Sequence, residues 1–458
     1  MKELFPRILF IFAVSVLSFA YGFFSHWKEI FPYRLLHEAN LAFNAIMELG
    51  NEKIELKNVD FWDETGLTGP SYSSHSADTS EENIFILGNE RTYADEASVE
   101  SFLAWIADRD GNILHAWKDP GELWTPLENR DAVGDAWRSY PVGAHLFANG
   151  DILVSYQGVN VFPVPMGIAR FDKDSNLLWK NGGYYHHWFS VGKDGEIYVP
   201  DTIIGQSPLK IDDRKKTIVC NQALFPYESV SVLDGSGNKI REIDVLAAIS
   251  NSDLAGLINS NSKNAETVET CDVLHLNDVQ VLTDELAGEF PGFESGDLLL
   301  SFRSLNGIGV LDPDTELFKW FYVGSSQHQH SPRFRKDNQV MLFDNYGGRI
   351  SRGISRVLTV DVTSHQSTIA FPRVNSELPE MPFFSNTAGH IDLDKSGDRV
   401  LVSFTHQGLV WEIDIDSGEI LWQFVNTHPV QGRPARISVY TAKYVEQIAF
   451  PTNGGTLK

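Results

Sequence analysis

KSGDRVLVSF, residues 395–404, combines a polar turn with a run of mostly apolar residues. The Ser-Gly pair favours a positive φ angle and the run is rich in valine, so the segment predicts a hairpin turn that leads into a strand. Five other segments have the same composition in the same order, so one structural unit recurs along the chain. They are DRDGNILHAW (108–117), FANGDILVSY (147–156), GKDGEIYVP (192–200), ESGDLLLSF (294–302) and RKDNQVMLF (335–343).

Several of these units are followed by a second turn-and-strand segment, as in SVLDGSGNKIREID (231–244) and WEIDIDSGEILWQF (411–424). Two hairpins per unit make a four-stranded blade, and blades repeated around a ring form a β-propeller. The sequence therefore predicts an all-β fold, a six-bladed β-propeller. The irregular spacing of the units leaves seven blades open as an alternative.

The N-terminus predicts export. Lys2 and Arg7 precede an uncharged, mostly apolar run over residues 8–24, which is typical of a signal peptide or a short membrane anchor. Aromatic residues continue the run and favour a transmembrane helix. Residues beyond the helix are expected in the periplasm, or secreted if the helix is cleaved.

Three segments are expected along the chain. Residues 1–26 form the signal or anchor, 27–82 a linker with a short amphipathic helix and a polar stretch, and 83–458 the propeller. Outside the cytoplasm a pair of cysteines forms a disulfide more often than two free thiols, so Cys220 and Cys271 are predicted to pair. Two unrelated buried thiols are the alternative.

The net charge limits the partners of this chain. It is -24 at pH 7 over 458 residues, and no basic run offsets it. Such a charge repels phosphate backbones, so nucleic acid is not expected as a partner.

Histidines recur near the start of these units. His187 and His330 each stand eight residues before the turn residue of their unit, His390 stands seven before it, and His275 begins the fourth blade. The innermost strands of a propeller line its central channel, so residues at the same end of these strands converge. Imidazoles gathered around one point can act as nucleophile, general acid or metal ligand.

The segments around these histidines resemble the arylsulfotransferase family of exported six-bladed propellers. The resemblance implies that an aryl sulfate gives its sulfuryl group to a histidine, which passes it to a phenol, with neither PAPS nor a metal needed. It covers residues from about 100 to the C-terminus. The similar stretches are YYHHWFSVGKDGEIYV (184–199), CDVLHLNDVQVL (271–282), GDLLLSFRSLNGIGVLDP (296–313), QHQHSPRFRKDNQVMLFDN (327–345), ISRVLTVD (354–361) and GHIDLDKSGDRVLVSF (389–404).

Motif by motif, the resemblance implies roles for five residues. His187 is similar to the second histidine of the family's His-His-Asp motif, His330 to that of its Gln-His-Asp-Pro motif, and Arg356 to the arginine of its Ser-Arg motif. His390 holds the equivalent place in the last blade, where the nucleophile is expected. His275 is expected to contact a substrate oxygen.

Other features of the sequence favour alternative functions. Trp188 and Ser331 stand where the family motifs have carboxylates, which favours a non-catalytic propeller that serves as a binding platform. A quinone-cofactor dehydrogenase is suggested by DIDSGEILWQF (414–424), a motif that such enzymes repeat around the ring but that is clear only once here. His328 and His330 lie two apart on a predicted strand and so share a face, where they could chelate a metal.

Two further groups are interpreted as structural. Arg303 and Arg333 are expected to join neighbouring blades through carboxylates. Large aromatic rings are expected to pack between blades, since each buries a large area. They are Trp105, Trp117, Trp179, Trp320, Trp411 and Trp422.

Overall fold

The computed structural model divides the chain into two compact units, residues 1–57 and 58–458. The structure describes residues 4–28, 61–62, 66–67, 69–88, 102–121, 123–124, 139–158, 165–206, 209–210, 217–218, 224–258, 272–345, 354–373, 384–385, 387–430, 433–446 and 448–453.

The first unit contains the α-helix Leu4–Lys28, at the position of the predicted signal or anchor. Within the described residues, no helix has both the length and the apolar character that crossing a membrane requires. The linker helix predicted within 27–48 lies, from residue 29 onward, outside the described residues. Cys220 and Cys271 also lie outside them, so their disulfide stays a prediction.

Six antiparallel sheets of the second unit confirm the predicted propeller, and each contains four strands that follow one another in the sheet. We number the blades in chain order and give the strands from the innermost outward. Blade 1 contains Val439–Val445, Asn83–Gly88, Phe102–Ala107 and Ile113–Lys118; blade 2 contains Ser139–Leu146, Ile152–Gly158, Pro165–Phe171 and Leu177–Asn181; blade 3 contains Ser190–Val191, Ile197–Gln206, Leu224–Leu233 and Lys239–Ile243.

The second half of the ring repeats this order. Blade 4 contains Leu276–Val281, Leu298–Phe302, Gly307–Asp312 and Leu317–Val323; blade 5 contains His330–Arg335, Gln339–Asp344, Arg356–Asp361 and Ser367–Phe371; blade 6 contains His390–Leu393, Arg399–Phe404, Leu409–Asp414 and Ile420–Val425.

Blade 1 closes the ring by combining both ends of the unit. Its innermost strand, Val439–Val445, pairs antiparallel with Asn83–Gly88, which lies more than 300 residues earlier in the chain. Closure of this kind leaves no free sheet edge between the first and last blades. It also changes the place of one predicted turn: DRDGN (108–112) connects the third and fourth strands of blade 1, because the inner pair of that blade is not consecutive in sequence.

The other five repeated turns connect the first and second strands of their blades, as the sequence predicts. The turn residue of each has a positive φ angle, which glycine and asparagine adopt at low cost. The φ angles are 88° at Gly150, 87° at Gly195, 96° at Gly296, 56° at Asn338 and 70° at Gly397.

Part of the segment predicted as a linker belongs to the sheets of the second unit. Ser71–Ser74 adds a fifth strand to the outer edge of blade 6, and Phe61–Trp62 pairs with Arg433–Arg436. The propeller unit therefore begins before the boundary predicted at residue 83. An outer edge strand faces solvent on one side, which explains why its polar composition resembles that of a linker.

The remaining elements are short. Beside Arg433–Arg436 lies Thr427–Val430, and Leu209–Lys210 pairs with Thr217–Ile218. Helical segments lie at Val245–Ser250 and Asp284–Ala287, and 3-10 turns lie at Arg303–Leu305 and Thr405–Gln407.

Tryptophans on the outermost strands join each of four blades to the next. In each case the indole Nε1 donates a hydrogen bond to a backbone carbonyl in a turn of the following blade, which satisfies the polar end of a ring that is otherwise packed. The donors and acceptors are Trp117 and Gly150, Trp179 and Gly235, Trp320 and Val362, and Trp422 and Arg109. The last pair joins blade 6 to blade 1.

Candidate active site

Three histidines lie in the loops that lead into the innermost strands of blades 3, 4 and 5. The backbone of His187, His275 and His328 is left-handed, with φ angles of 53°, 52° and 52°. This conformation costs a residue with a side chain about 1 kcal/mol or more and often marks functional sites. The repeated strain indicates that the three rings are held in place by the surrounding structure.

Trp188 places this end of the inner strands at the axis of the ring. Its indole Nε1 donates to Oγ1 of Thr441 in blade 1 at 3.0 Å. The Trp188 ring centroid lies 5.8 Å from that of His330 and 6.1 Å from that of His390. A side chain that leads into blade 3 and contacts blades 1, 5 and 6 must lie at the centre. Trp188 is itself buried.

His187 and His275 face each other across the gap between blades 3 and 4, with ring centroids 5.2 Å apart. Nδ1 of His187 lies 3.1 Å from Nε2 of Gln157 and 2.6 Å from Nδ1 of His186. Burial lowers the pKa of His187 well below its ordinary value, and the neighbouring His186 and His275 lower it further. The His187 ring is therefore neutral at physiological pH.

His275 has a carboxylate partner. Its Nδ1 donates a hydrogen bond to Oδ2 of Asp272, three residues earlier. Burial raises the pKa of Asp272, but the charge of His275 and this hydrogen bond outweigh burial and lower it overall. A carboxylate on Nδ1 leaves Nε2 as the nitrogen that can gain or lose a proton, so this pair is suited to acid-base chemistry.

A buried carboxyl group lies behind this pair. Oε2 of Glu228 accepts a hydrogen bond from the backbone N–H of Leu276 at 2.9 Å. Burial, and then the charge of Asp272, raises the pKa of Glu228 well above its ordinary value. Glu228 thus anchors the loop that carries His275 while Asp272 keeps the negative charge.

His330 is held by the side chain of Asn345. Its Nδ1 lies 2.7 Å from Oδ1 of Asn345, whose Nδ2 donates to the carbonyl oxygens of Ser385 and Ala388, each at 2.7 Å. Because the Asn345 amide donates to two carbonyls, its oxygen faces the histidine and accepts. The proton of His330 therefore sits on Nδ1, and Nε2 keeps a lone pair.

Charge and burial keep His330 neutral. Burial lowers the pKa of His330 well below its ordinary value, and the positive charge of Arg303 is the next cause. A neutral imidazole with a free Nε2 lone pair is a nucleophile at physiological pH.

Arg303 is the cation of this site. It begins the 3-10 turn after the second strand of blade 4, and its backbone N–H donates to the carbonyl of His275 at 3.0 Å. Within the described part of the chain, its guanidinium makes no hydrogen bond or ion pair. Its charge lowers the pKa values of His187, His328 and His330, which places it among them. A guanidinium that makes no hydrogen bond or ion pair among these residues has donors left to hold a sulfonate, and the charge of Asp272 also acts on it.

Arg303 therefore does not have the predicted structural role of joining blades through a carboxylate, whereas Arg333 does. The Arg333 guanidinium pairs with the buried carboxylate of Asp278 at 3.1 Å. It also donates to Nε2 of His390 at 2.8 Å. Since that nitrogen accepts, the proton of His390 is on Nδ1. His390 thus has no free lone pair.

Arg356 is also occupied. Its guanidinium donates to Oδ2 of Asp344, with Nε at 2.8 Å, and to the carbonyl of Ser325 at 2.8 Å. Asp344 in turn accepts from the backbone N–H of Gln327 at 2.7 Å. Arg356 thus stabilises the conformation of the loop before His330.

Of the residues singled out in the sequence, the structure brings His187, His275 and His330 together and places His390 and Arg356 in ion-pair or hydrogen-bond contacts with other groups. Sequence reasoning missed Asp272 and Arg303. Asp272 carries a readable signal, an acid three residues before a histidine in a loop. Arg303 carries none, because only the folded chain shows that no carboxylate among the described residues is hydrogen-bonded to it.

No metal centre is present in the part of the chain that the structure describes: no three histidine, cysteine, aspartate or glutamate side chains there are arranged to hold an ion. The predicted pair of His328 and His330 has no third ligand among these residues. The pKa of His328 is lowered to about 4, mainly by burial and then by Arg303.

Comparisons with solved structures find distant relatives. A protein of unknown function from Bacteroides caccae shares 10% identity over 80% of this chain and 100% of that chain, with a TM-score of 0.44. Virginiamycin B lyase from Staphylococcus aureus shares 11% identity over 63% of this chain and 72% of that chain, with a TM-score of 0.34. The Dos1 propeller shares 11% identity over 77% and 74%, with a TM-score of 0.37. Similarities this weak support no inference about this chain.

No curated protein matches the chain. The family model described as Arylsulfotransferase (ASST) matches residues 144–427, which is more than half of the chain and covers blades 2 to 6. At the level of the family this indicates sulfuryl transfer with small-molecule aryl substrates. On this match, the chain belongs to the arylsulfotransferase family.

Proposed function

We propose that this chain is an aryl-sulfate sulfotransferase that passes the sulfuryl group to a phenol through a sulfohistidine at His330. PAPS and other cofactors have no part in the proposal. Family membership supports sulfuryl transfer in general. The finer proposal rests on the contact between His330 and Asn345, since it leaves a neutral imidazole with a lone pair on Nε2 near Arg303, whose guanidinium makes no hydrogen bond or ion pair among the described residues.

His330 is better suited to be the nucleophile than His390, the residue that the family resemblance suggested for this role. Nε2 of His390 is engaged by Arg333, and its ring is fully buried. Attack by His390 would require that hydrogen bond to break.

In the first step, Nε2 of His330 attacks the sulfur of the aryl sulfate while the sulfur–oxygen bond to the aryl group breaks. The electron pair leaves with the phenolate oxygen, which takes a proton from Nε2 of His275, while Asp272 stabilises the protonated ring. Arg303 holds the sulfonate oxygens throughout. As in phosphoryl transfer, alignment and charge stabilisation lower the barrier.

The second step reverses the first with a different phenol. Nε2 of His275 takes the proton from the incoming hydroxyl, whose oxygen attacks the sulfur of the sulfohistidine. The nitrogen–sulfur bond breaks and its electron pair returns to His330. Asn345 keeps the Nδ1 proton of His330 in both steps, so the ring returns to the starting tautomer.

Release of 4-nitrophenol from 4-nitrophenyl sulfate, with phenol as acceptor and no PAPS, tests this proposal. We expect the purified propeller to turn over and His330→Ala to lower kcat by about a thousandfold or more. His390→Gln, which keeps an acceptor for Arg333, is the matched control and should retain most of the rate.

A non-catalytic binding propeller is the second candidate, favoured by Trp188 and Ser331 in place of motif carboxylates. Binding of aryl sulfates without turnover by the wild-type chain would replace the transferase proposal with this one. Asp272 and Asn345 argue for catalysis, since they supply orienting partners from other positions.

We further propose that the propeller works outside the cytoplasm, in the periplasm or in secreted form, with Cys220 and Cys271 paired. The support is the basic N-terminus followed by an apolar run. Cell fractionation and sequencing of the mature N-terminus test the location, and mass analysis with and without reductant tests the disulfide. A full-length chain in the cytoplasm would contradict the proposed location.

A further inference from the structure

A chain of side-chain hydrogen bonds lies behind His187 and has no part in the steps above. It runs from Tyr140 through Gln157 to His187, and from there through His186 to Thr202. All five residues belong to the two neighbouring blades 2 and 3 or to the loop between them. Polar groups buried in this way need partners, so the directions of the bonds can be worked out from the ends inward.

The Gln157 end is set by Tyr140. The two residues lie directly opposite each other on paired strands, and the Tyr140 hydroxyl donates to Oε1 of Gln157 at 3.0 Å. With its oxygen facing Tyr140, the amide presents Nε2 to His187, and Nε2 can only donate. The contact of 3.1 Å to Nδ1 of His187 is therefore a hydrogen bond that Nδ1 accepts.

The tautomer of His186 follows from this direction. A hydrogen on Nδ1 of His187 would point at the amide hydrogens of Gln157, so Nδ1 carries none. The 2.6 Å contact between the two Nδ1 atoms then requires the hydrogen to be on His186. Nε2 of His186 accepts from the hydroxyl of Thr202 at 2.8 Å. Nδ1 of His187 has a single lone pair, so the N–H groups of His186 and Gln157 share it in a three-centre hydrogen bond.

We propose that Gln157 is a positioning residue that holds the proton of His187 on Nε2, so that this ring acts as a neutral hydrogen-bond donor to a sulfonate or phenolate oxygen. The inference rests on the proposed transferase function, since it assigns the fourth group around the transferred sulfuryl. His187 and His330 then have opposite tautomers: one presents a proton and the other a lone pair.

A neutral donor is suited to this place. A protonated His187 would place a further positive charge beside Arg303 and His275 in a buried site. A neutral N–H can stabilise a developing negative charge by a hydrogen bond alone, without adding a charge to the site. Gln157 is buried, and both ends of its amide are engaged by side chains of this network.

Nitrogen NMR of the full chain labelled with ¹⁵N-histidine reads the tautomer directly. The signals of His187 are identified by their loss in His187→Gln. In the wild type we expect Nδ1 to have the shift of an unprotonated nitrogen and Nε2 that of an N–H. In Gln157→Glu, the new carboxylate accepts from Nδ1, so the two signals should exchange character. Tyr140→Phe frees the amide to rotate and should give a mixture.

A protonated Nδ1 in the wild type would overturn the inference even if aryl sulfate is turned over. Kinetics provides the second measurement: Gln157→Glu should lower kcat by about 10- to 100-fold with little change in KM. Gln157→Leu separates packing from polarity, and an unchanged kcat in both variants would also overturn the inference. A wild-type chain with the expected tautomer but no turnover would instead overturn the proposed function.

Discussion

Asn345 and His330 share a hydrogen bond of 2.7 Å between Oδ1 and Nδ1, and the amide is locked by two carbonyls on its other side. The pair converts an ordinary histidine into one with a defined tautomer. Because the orientation is set by backbone carbonyls of the loop before blade 6, two neighbouring blades together determine which nitrogen of His330 can react.

Replacement of the Asn345 amide should show how much the fixed tautomer of His330 contributes to the rate, while the nucleophile itself is kept. We expect Asn345→Leu to lower kcat by about 10- to 100-fold, since the Nδ1 proton loses its acceptor. It should also cost about 1–3 kcal/mol of unfolding free energy, because two buried carbonyls lose their donor. Asn345→Asp keeps the acceptor and should retain more activity than the leucine variant; equal loss in both would contradict tautomer control.

Arg303 and Arg356 form a matched pair of arginines with different expected effects. Arg303→Met should lower kcat/KM by about 10²- to 10³-fold, because a donor to the transferring group is lost. Arg356→Met should remove the cation that pairs with the buried Asp344 carboxylate and cost about 3 kcal/mol or more in stability. Steady-state kinetics and urea unfolding measure the two effects. A larger kinetic loss in the Arg356 variant, corrected for its folded fraction, would reverse the assignment.

Asp272 should matter for both half-reactions. Asp272→Asn keeps the size of the side chain but removes the charge that stabilises protonated His275. We expect kcat to fall by about 10²-fold or more. The loss should be smaller for donors whose phenolate leaves without protonation, such as 4-nitrophenyl sulfate, than for unsubstituted phenyl sulfate. An equal loss for both donors would argue against proton transfer by His275.

The buried His390 should contribute to the pH dependence of stability. Its folded pKa is lowered, first by burial and then by the charge of Arg333, so the unfolded chain binds this proton and the folded chain does not. The unfolding free energy should therefore fall as the pH drops below about 6.5, the ordinary value for histidine. The carboxylates Asp278 and Asp392 and the cation Lys443 also face this cluster.

Comparison with His390→Gln isolates this contribution. Between about pH 6.5 and 5 the wild type should lose up to about 1.4 kcal/mol per pH unit more than the variant. Urea unfolding at several pH values measures the difference. Parallel curves would show that His390 has the same pKa in the folded and the unfolded chain.

Local features of the sequence predict the repeats well. Features that depend on closure of the ring cannot be predicted from the sequence in this way. The turn glycines at positions 150, 195, 296 and 397 have the positive φ angles that their neighbours indicate, because a hairpin turn is determined by a few adjacent residues. The innermost strand of blade 1 cannot be recognised in this way, since Val439–Val445 and Asn83–Gly88 meet only when the ring closes.

The same distinction applies to the site. Equal offsets from a turn predict that His187 and His330 lie at one end of the channel, and its place at the start of the fourth blade predicts the same for His275. The choice between Arg303 and Arg356 is different. Both follow or begin a strand, and only the position of Asp344 beside Arg356 shows which guanidinium is occupied.

Mapping the sulfonated residue tests the central claim most directly. The wild-type chain is mixed with 4-nitrophenyl sulfate without acceptor, quenched at alkaline pH to protect the nitrogen–sulfur bond, digested and sequenced by tandem mass spectrometry. We predict one sulfonated histidine, His330, whose label disappears when phenol is added before the quench. A label on His390 or His187 that phenol removes at the catalytic rate would contradict this account.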